Sequence, residues 1–334
     1  MVLVQKNGIF NKRKTMNFLR FDKYVQNKEV LIIIGIILGI LVFATILFFI
    51  LGKLKPSGKV DELKMRTKSW WVMASIFVLA TLLHPVVSYI AFGLLSFAAL
   101  RELTSISKNV RDEDRRVLIW CYLAIPIQYY LAYNGWFNIF IIFIPVLMFV
   151  WIPFVLVIRG ITTEIGRAMS VLPTQLMFTV FSISHLAYLL SLPEIPGFNA
   201  GGRGLLLYVV FLTEINDVFQ FTWGKLLGRN KIIEKISPNK TWEGFVGGLI
   251  TTTILAYFLR FLTPFTEVES LIVGFTVACS GFIGDIIVSA IKRDIGLKDT
   301  GTLIPGHGGI LDRIDSLAIA APTFFYLVYN LHYV

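Results

Sequence analysis

Between residues 289 and 315 the chain sets four cations (Lys292, Arg293, Lys298 and Arg313) among four carboxylates (Asp294, Asp299, Asp312 and Asp315), around the run Gly306-His307-Gly308-Gly309. Two long apolar segments flank this stretch, and charge so close to a bilayer is a functional-site hypothesis by default. Lysine and arginine neutralise phosphate oxygens, carboxylates hold a hard divalent cation, and glycines let backbone amides approach an anion. Together they are the equipment of phosphoryl-group chemistry at a membrane surface.

A second constellation precedes the first. Asn216-Asp217 is followed by Gly224-Lys225 and Gly228-Arg229, then by Ser237-Pro238-Asn239-Lys240-Thr241-Trp242-Glu243-Gly244 and Gly247-Gly248. Asp285 sits in an apolar run beside Gly281 and Gly284, with Ser289 four residues on. It reads either as a carboxylate satisfied within a glycine-based helix contact or as a metal ligand. Asp312 and Asp315 are three apart and share a face if a helix begins there. Capping accounts for Asp315 or Ser316, not for Asp312-Arg313 after a glycine loop. Thr241 and Glu243 read as a helix start, which is itself an anion site. Of the four histidines only His307 lies in a polar loop; His84, His185 and His332 fall at or within apolar segments.

The elements that must position these residues are membrane helices. The chain has 334 residues, 56% of them hydrophobic and 16% charged, with a mean hydropathy of +0.73. A soluble domain is about a quarter charged. A net charge of +10 would suggest nucleic acid in a soluble chain; in short loops between apolar spans it marks topology and anionic lipid instead. Two cysteines in apolar segments give no disulfide or zinc framework. Spans of roughly 20 apolar residues are expected at 30–51, 117–133, 136–158, 168–191, 205–223, 245–262, 271–291 and 317–332. The stretch 70–100 should form two short, re-entrant or tilted helices broken at His84-Pro85. The expectation is an all-α polytopic transmembrane bundle of about nine or ten helices. It divides into a basic tail (1–29), N-terminal helices (30–204) and a C-terminal catalytic region (205–334) with loops 224–243 and 291–315. Loops 52–69, 101–116, 159–167, 224–243 and 291–315 hold 22 of the 31 lysines and arginines, which assigns all five to the cytoplasmic side. The seven cations of the first 29 residues conflict with that assignment, because ten spans would put them outside.

From Ser289-x-Ile-Lys-Arg through Pro-Gly-His-Gly-Gly-x-Leu-Asp-Arg-x-Asp315 the chain resembles the signature of the phosphatidate cytidylyltransferases, or CDP-diacylglycerol synthases. The block from Ser237 to Gly248 is similar to the same family's second motif, and the resemblance is strong over residues 205–316. It implies transfer of a cytidylyl group from CTP to phosphatidate, giving CDP-diacylglycerol and pyrophosphate. The implied metal is magnesium, alone or with a second cation, on Asp285 and Asp312. The implied catalytic group is Lys240, Lys292, Asp312, Asp315 and His307, the last two as orienting residues. Substrate contacts would come from Asp217, Ser237, Thr241, Glu243, Ser289, Arg293, Lys298, Asp299, Gly308, Gly309 and Arg313. The expected partners are CTP, a lipid phosphate and membrane lipids, with no nucleic acid and with a homodimer allowed. The expected location is a bacterial plasma membrane, with the site on the cytoplasmic face. One departure stands out. Where the family has small residues after the first aspartate, this chain has Val218-Phe219-Gln220; this either narrows the acceptor or base pocket or leaves Phe219 facing lipid or a neighbouring helix. A related CTP-using lipid enzyme (an archaeol cytidylyltransferase or a lipid kinase) and an ion-coupled transporter remain as rival readings.

Overall fold

Helix start signals in the sequence become real caps. The computed structural model describes residues 27–55, 57–107, 117–160 and 165–334. The Asn27 side chain accepts from the amides of Glu29 and Val30 to open α1 (Lys28–Leu54), and Ser57 opens α2 (Gly58–Leu82). Pro85 occupies the first turn of α3 (Pro85–Ile106), where its missing N–H costs nothing. The break at His84-Pro85 is as expected, but the flanking helices are not short. α2 runs back through the polar residues 58–69, helped by Lys64–Asp61 and Arg66–Glu62 pairs one turn apart. Hydropathy alone misses such a start, since a helix outside the bilayer needs no apolar run.

α4 (Leu118–Tyr133), α5 (Phe137–Ile158) and α6 (Ile165–Leu189) complete the N-terminal half. α5 contains a π-helical stretch at Phe143–Met148, around Pro145, and α6 another at Met177–Phe181, one turn after Pro173. Proline removes a backbone donor and loosens the ladder at such places. In the C-terminal half, α7 (Gly201–Leu227) leads into a hairpin of β1 (Lys231–Ile233) and β2 (Ser237–Thr241). α8 (Trp242–Phe258), a short turn at Arg260–Leu262 and α9 (Glu267–Asp294) follow, and α10 (Leu311–His332) ends the bundle.

Among the described residues, seven helices (α1, α3, α5, α6, α7, α9 and α10) are long and apolar enough to cross a membrane. The molecule is a polytopic helical membrane protein. Its outer apolar side chains, such as Phe43, Ile46 and Phe49 on α1, are exposed, as lipid-facing residues should be. The core runs continuously through both halves, from Val30 to Val328. Asn216 ties three helices of the C-terminal half together. Its amide donates to the Ala278 carbonyl at 3.3 Å, and its oxygen accepts the Thr252 hydroxyl at 3.0 Å. At Gly248 a methyl group would run into Gln220 of α7, so α7 and α8 approach as only glycine permits.

The hairpin, the end of α9 and the loop to α10 meet at one end of the bundle, where Arg293 donates to the carbonyls of Ile236 and Leu297. The hairpin after α7 and the loop after α9 therefore share that end. α1 begins beside Asn199, just before α7 and opposite the hairpin. Most of the tail conflict, residues 1–26, lies outside the described residues.

Candidate active site

The loop from 298 to 311 closes on itself before it can present anything. Ile304 and Gly308 form an antiparallel bridge, and Gly306 and Gly308 take positive φ angles of 74° and 84°. A side chain at Gly308 would collide with the Asp312 carboxylate. Both facts call for glycine, so the run Gly306-His307-Gly308-Gly309 is a turn built around an aspartate.

Asp312 organises the loop. Its Oδ2 accepts the amides of Thr300 (2.8 Å) and Gly309 (2.9 Å) and lies 3.0 Å from the Thr300 hydroxyl. Its Oδ1 pairs with Lys292 Nζ at 2.8 Å, and Lys292 also reaches Asp315 at 3.8 Å. Lys292 and Asp312 are both buried, so each needs the other.

A second lysine–aspartate pair stands nearby. β2 delivers Lys240 to Asp285 of α9, Nζ to Oδ2 at 2.5 Å, while Asp285 Oδ1 accepts the Ser289 hydroxyl at 3.1 Å. Lys240 Nζ also lies 4.7 Å from the centre of the Phe282 ring, a cation–π contact. Asp217 of α7 feels the charges of Asp285, Lys240 and Glu214. Asp315 lies near Asp285, Asp217, Lys292 and Arg313. Glu214 is in turn within the field of Arg313 and Asp315. Five carboxylates (Glu214, Asp217, Asp285, Asp312 and Asp315) thus surround three cations (Lys240, Lys292 and Arg313).

The other sequence-picked residues divide by task. Thr241 caps α8 through the Gly244 amide at 3.1 Å. Glu243 accepts the Arg229 and Asn230 amides, fixing the entry to the hairpin, and Ser237 pairs with Ile233 across it. Arg293 spends its hydrogen bonds on Ile236 and Leu297. These four build the site's frame, so their place in the signature reflects architecture as much as substrate contact. Lys298 and Asp299 are exposed at the loop surface, free to meet a ligand. His307 stands edge-on to Trp70 of α2, ring centres 6.0 Å apart. Burial first, then Arg313, lowers its pKa from 6.5 to about 4, so at neutral pH it is an uncharged imidazole.

Sequence reasoning missed Glu102, Thr300 and Glu214, and took Ser316 as a helix cap, although its side chain makes no capping bond. Ser316 donates its hydroxyl to Asp217 Oδ2 at 2.7 Å. Glu214 carried a usable signal, because it precedes Asp217 by three residues in an apolar helix and shares its face. Glu102 carried none, being one charge in a basic stretch. The expected pocket-narrowing at 218–220 takes another form: Val218 is exposed, and Gln220 turns into the α7–α8 seam against Gly248.

For a divalent cation, the donor set fits unevenly. Among the described residues no three metal-ligating side chains converge into a preassembled site, but magnesium uses one or two carboxylates and fills its sphere with water and substrate phosphate. Among the described residues, Asp285 bonds to Lys240 and Ser289, and Asp217 Oδ1 is buried with no hydrogen-bond partner. Asp312 holds all of its contacts inside the protein, so it joins a shared cation with Asp285 only by giving some of them up.

The family model of the cytidylyltransferase family matches residues 64–331. The chain belongs to that family. It is therefore a nucleotidyltransferase built as a membrane helical bundle. A protein of Escherichia coli K12 called uncharacterized protein YnbB is 39% identical over 293 residues, covering 87% of this chain and 95% of that one. A phosphatidate cytidylyltransferase of Haemophilus influenzae is 44% identical over 135 residues, 38% of this chain and 46% of its own length. One from Mycobacterium leprae is 36% identical over 147 residues, 43% of this chain and 46% of its own. The chain thus spans somewhat under half the length of these named cytidylyltransferases.

Proposed function

We propose that this cytidylyltransferase transfers the CMP unit of CTP to phosphatidate or a related lipid phosphate at the cytoplasmic face of a bacterial plasma membrane. The observation that carries the reading is the convergence of Lys240, Lys292 and Arg313 on one carboxylate-lined cluster at a single end of the bundle. Two anionic reactants can meet there only if their charge is neutralised, and the site is built of paired charges that can be redistributed. A lipid-phosphate oxygen attacks the α-phosphorus of CTP as the bond from that phosphorus to the bridging oxygen of the β-phosphate breaks. The electron pair leaves with pyrophosphate. The lipid phosphate is already an anion at neutral pH, so no general base is needed.

The protein's own residues position and neutralise. Lys240 turns from Asp285 to the triphosphate, Lys292 adds its charge to the site while still paired with Asp312, Arg313 holds the lipid phosphate, and the Gly308 and Gly309 segment lines the anion's approach. His307 and Asp315 orient without exchanging protons. Magnesium, held by Asp285 with Asp217 or Asp312, would stabilise charge on the triphosphate.

The test is purified protein with CTP, magnesium and phosphatidate, followed for CDP-lipid and pyrophosphate. Both products are expected. Release of CDP in place of pyrophosphate would instead make the enzyme a lipid kinase. For sidedness, Asn230→Cys should resist an impermeant thiol reagent in intact cells; ready labelling would overturn the cytoplasmic assignment.

A further inference from the structure

The signature loop does not hold its shape by its own bonds alone. A carboxylate from the N-terminal half enters it. Glu102, in the last turn of α3, accepts the Ile310 amide on Oε2 at 2.9 Å and the Leu311 amide on Oε1 at 3.1 Å. The Thr300 hydroxyl also bonds Glu102 Oε1. Two of these three donors open α10, where the first N–H groups of a helix lack partners of their own. Asp312 takes the Thr300 amide from the other side. The path from Glu102 through Thr300 and Asp312 to Lys292 is therefore continuous.

The surroundings leave little room for anything else in that place. A side chain at Gly309 would meet both Glu102 and Thr300, so Gly309 is small because the carboxylate passes beside it. α2 grips the loop next to this point: the Ser69 hydroxyl donates to the Pro305 carbonyl at 2.7 Å, and Trp70 abuts His307. Ser69 and Trp70 hold the loop's outer turn. Glu102 holds its inner end, where Asp312 and Arg313 leave the backbone.

We infer that Glu102 is a positioning residue for cytidylyl transfer, fixing the 300–311 loop so that Lys292, Asp312 and Arg313 keep their geometry. The inference rests on the reading of the activity given above. Its physical basis is that a carboxylate accepting several backbone amides fixes them strongly, and a displacement of about 1 Å at a reacting centre can cost about 100-fold in rate. Because Glu102 touches no reacting atom, its loss acts on the arrangement of the site and leaves the substrate contacts themselves in place.

Glu102→Ala and the near-isosteric Glu102→Gln test this in the purified full chain, with hydrogen exchange read across the whole bundle and kinetics measured with CTP and phosphatidate. The expected result is faster exchange confined to residues 300–311 in both variants. With it, kcat falls about 100-fold in Glu102→Ala and about tenfold in Glu102→Gln, which keeps one acceptor oxygen. KM for CTP changes less than about threefold, as expected for a lost positioning contact. Unchanged loop exchange with unchanged kcat in Glu102→Ala overturns the inference. So does general loosening of the bundle in Glu102→Gln, which would make Glu102 a residue of the fold alone. If wild-type protein forms no CDP-lipid, the reading of the activity fails, while the exchange comparison still decides whether Glu102 sets the loop.

Discussion

Two lysine–aspartate pairs lie side by side in this site and are built for different work. Lys292–Asp312 is nearly closed to solvent, with side-chain exposures of 9% and 4%, and Asp312 is bonded on both oxygens. Lys240–Asp285 keeps 18% and 22% exposure and has few other contacts. A buried pair is costly to open, because each partner would be left as an uncompensated charge. A half-open pair can exchange its partner for a ligand at little cost. The same two residue types therefore make a girder in one place and a hinge for charge in the other, and the difference is burial.

The sharpest way to break that contrast is to remove one charge from each pair. Asp312→Asn should cost about 3–5 kcal/mol of stability by stranding buried Lys292, with turnover lost alongside; a thermal-unfolding midpoint equal to wild type would show that the pair is not a girder. Asp285→Asn should lower turnover by about 10²–10³-fold, the range for a group that stabilises transition-state charge, while stability changes by less than about 1 kcal/mol. Equal stability losses in the two variants would erase the distinction. Because Asp285 is the carboxylate proposed above to hold magnesium, its variant should need more magnesium than wild type for half-maximal binding of CTP, measured by titration.

A smaller effect concerns His307, which lies beside the buried pair's loop. Folding lowers its pKa from 6.5 to about 4, so the unfolded chain takes up a proton first as pH falls. Its contribution to stability is complete above pH 6.5 and is lost progressively between 6.5 and about 4. His307→Asn should flatten that part of the stability–pH curve and leave turnover without a step near pH 6.5. A step near 6.5 that His307→Asn abolishes would make the imidazole a proton carrier. The smallest effect is expected at Val218→Ser, because the side chain faces outward. Relative rates with several lipid phosphates should stay within about twofold, as for most surface substitutions. A shift in lipid preference would restore the pocket reading of that departure.

Much of the site was legible because its chemistry is written in local order. Lys292, Asp312 and Asp315 are close in sequence and close in space, and helix α9 and the glycine turn hold them so. Lys240 and Asp285 could be named from their motifs, but nothing in either motif says that they touch; that needs the β1–β2 hairpin folded onto α9. Arg293 and Glu243 show the reverse case. Each looks like a ligand contact in sequence, while in the fold Arg293 donates to the Ile236 and Leu297 carbonyls and Glu243 accepts from the Arg229 and Asn230 amides and the Asn230 side chain. The helix plan was legible wherever a span is apolar throughout. It failed at the start of α2, whose first turns are polar.

By itself the sequence determined the class of the molecule, an all-helical membrane bundle, and the kind of chemistry at one end of it. Hydropathy and charge act through the solvent, so they need no knowledge of which helix lies against which. Partnership is different. Which aspartate is locked and which is open, which arginine braces the hairpin, and that α3 sends Glu102 across 198 residues to Thr300 all depend on packing between distant segments. Only the folded bundle fixes those distances, and with them the burial that gives each charge its role.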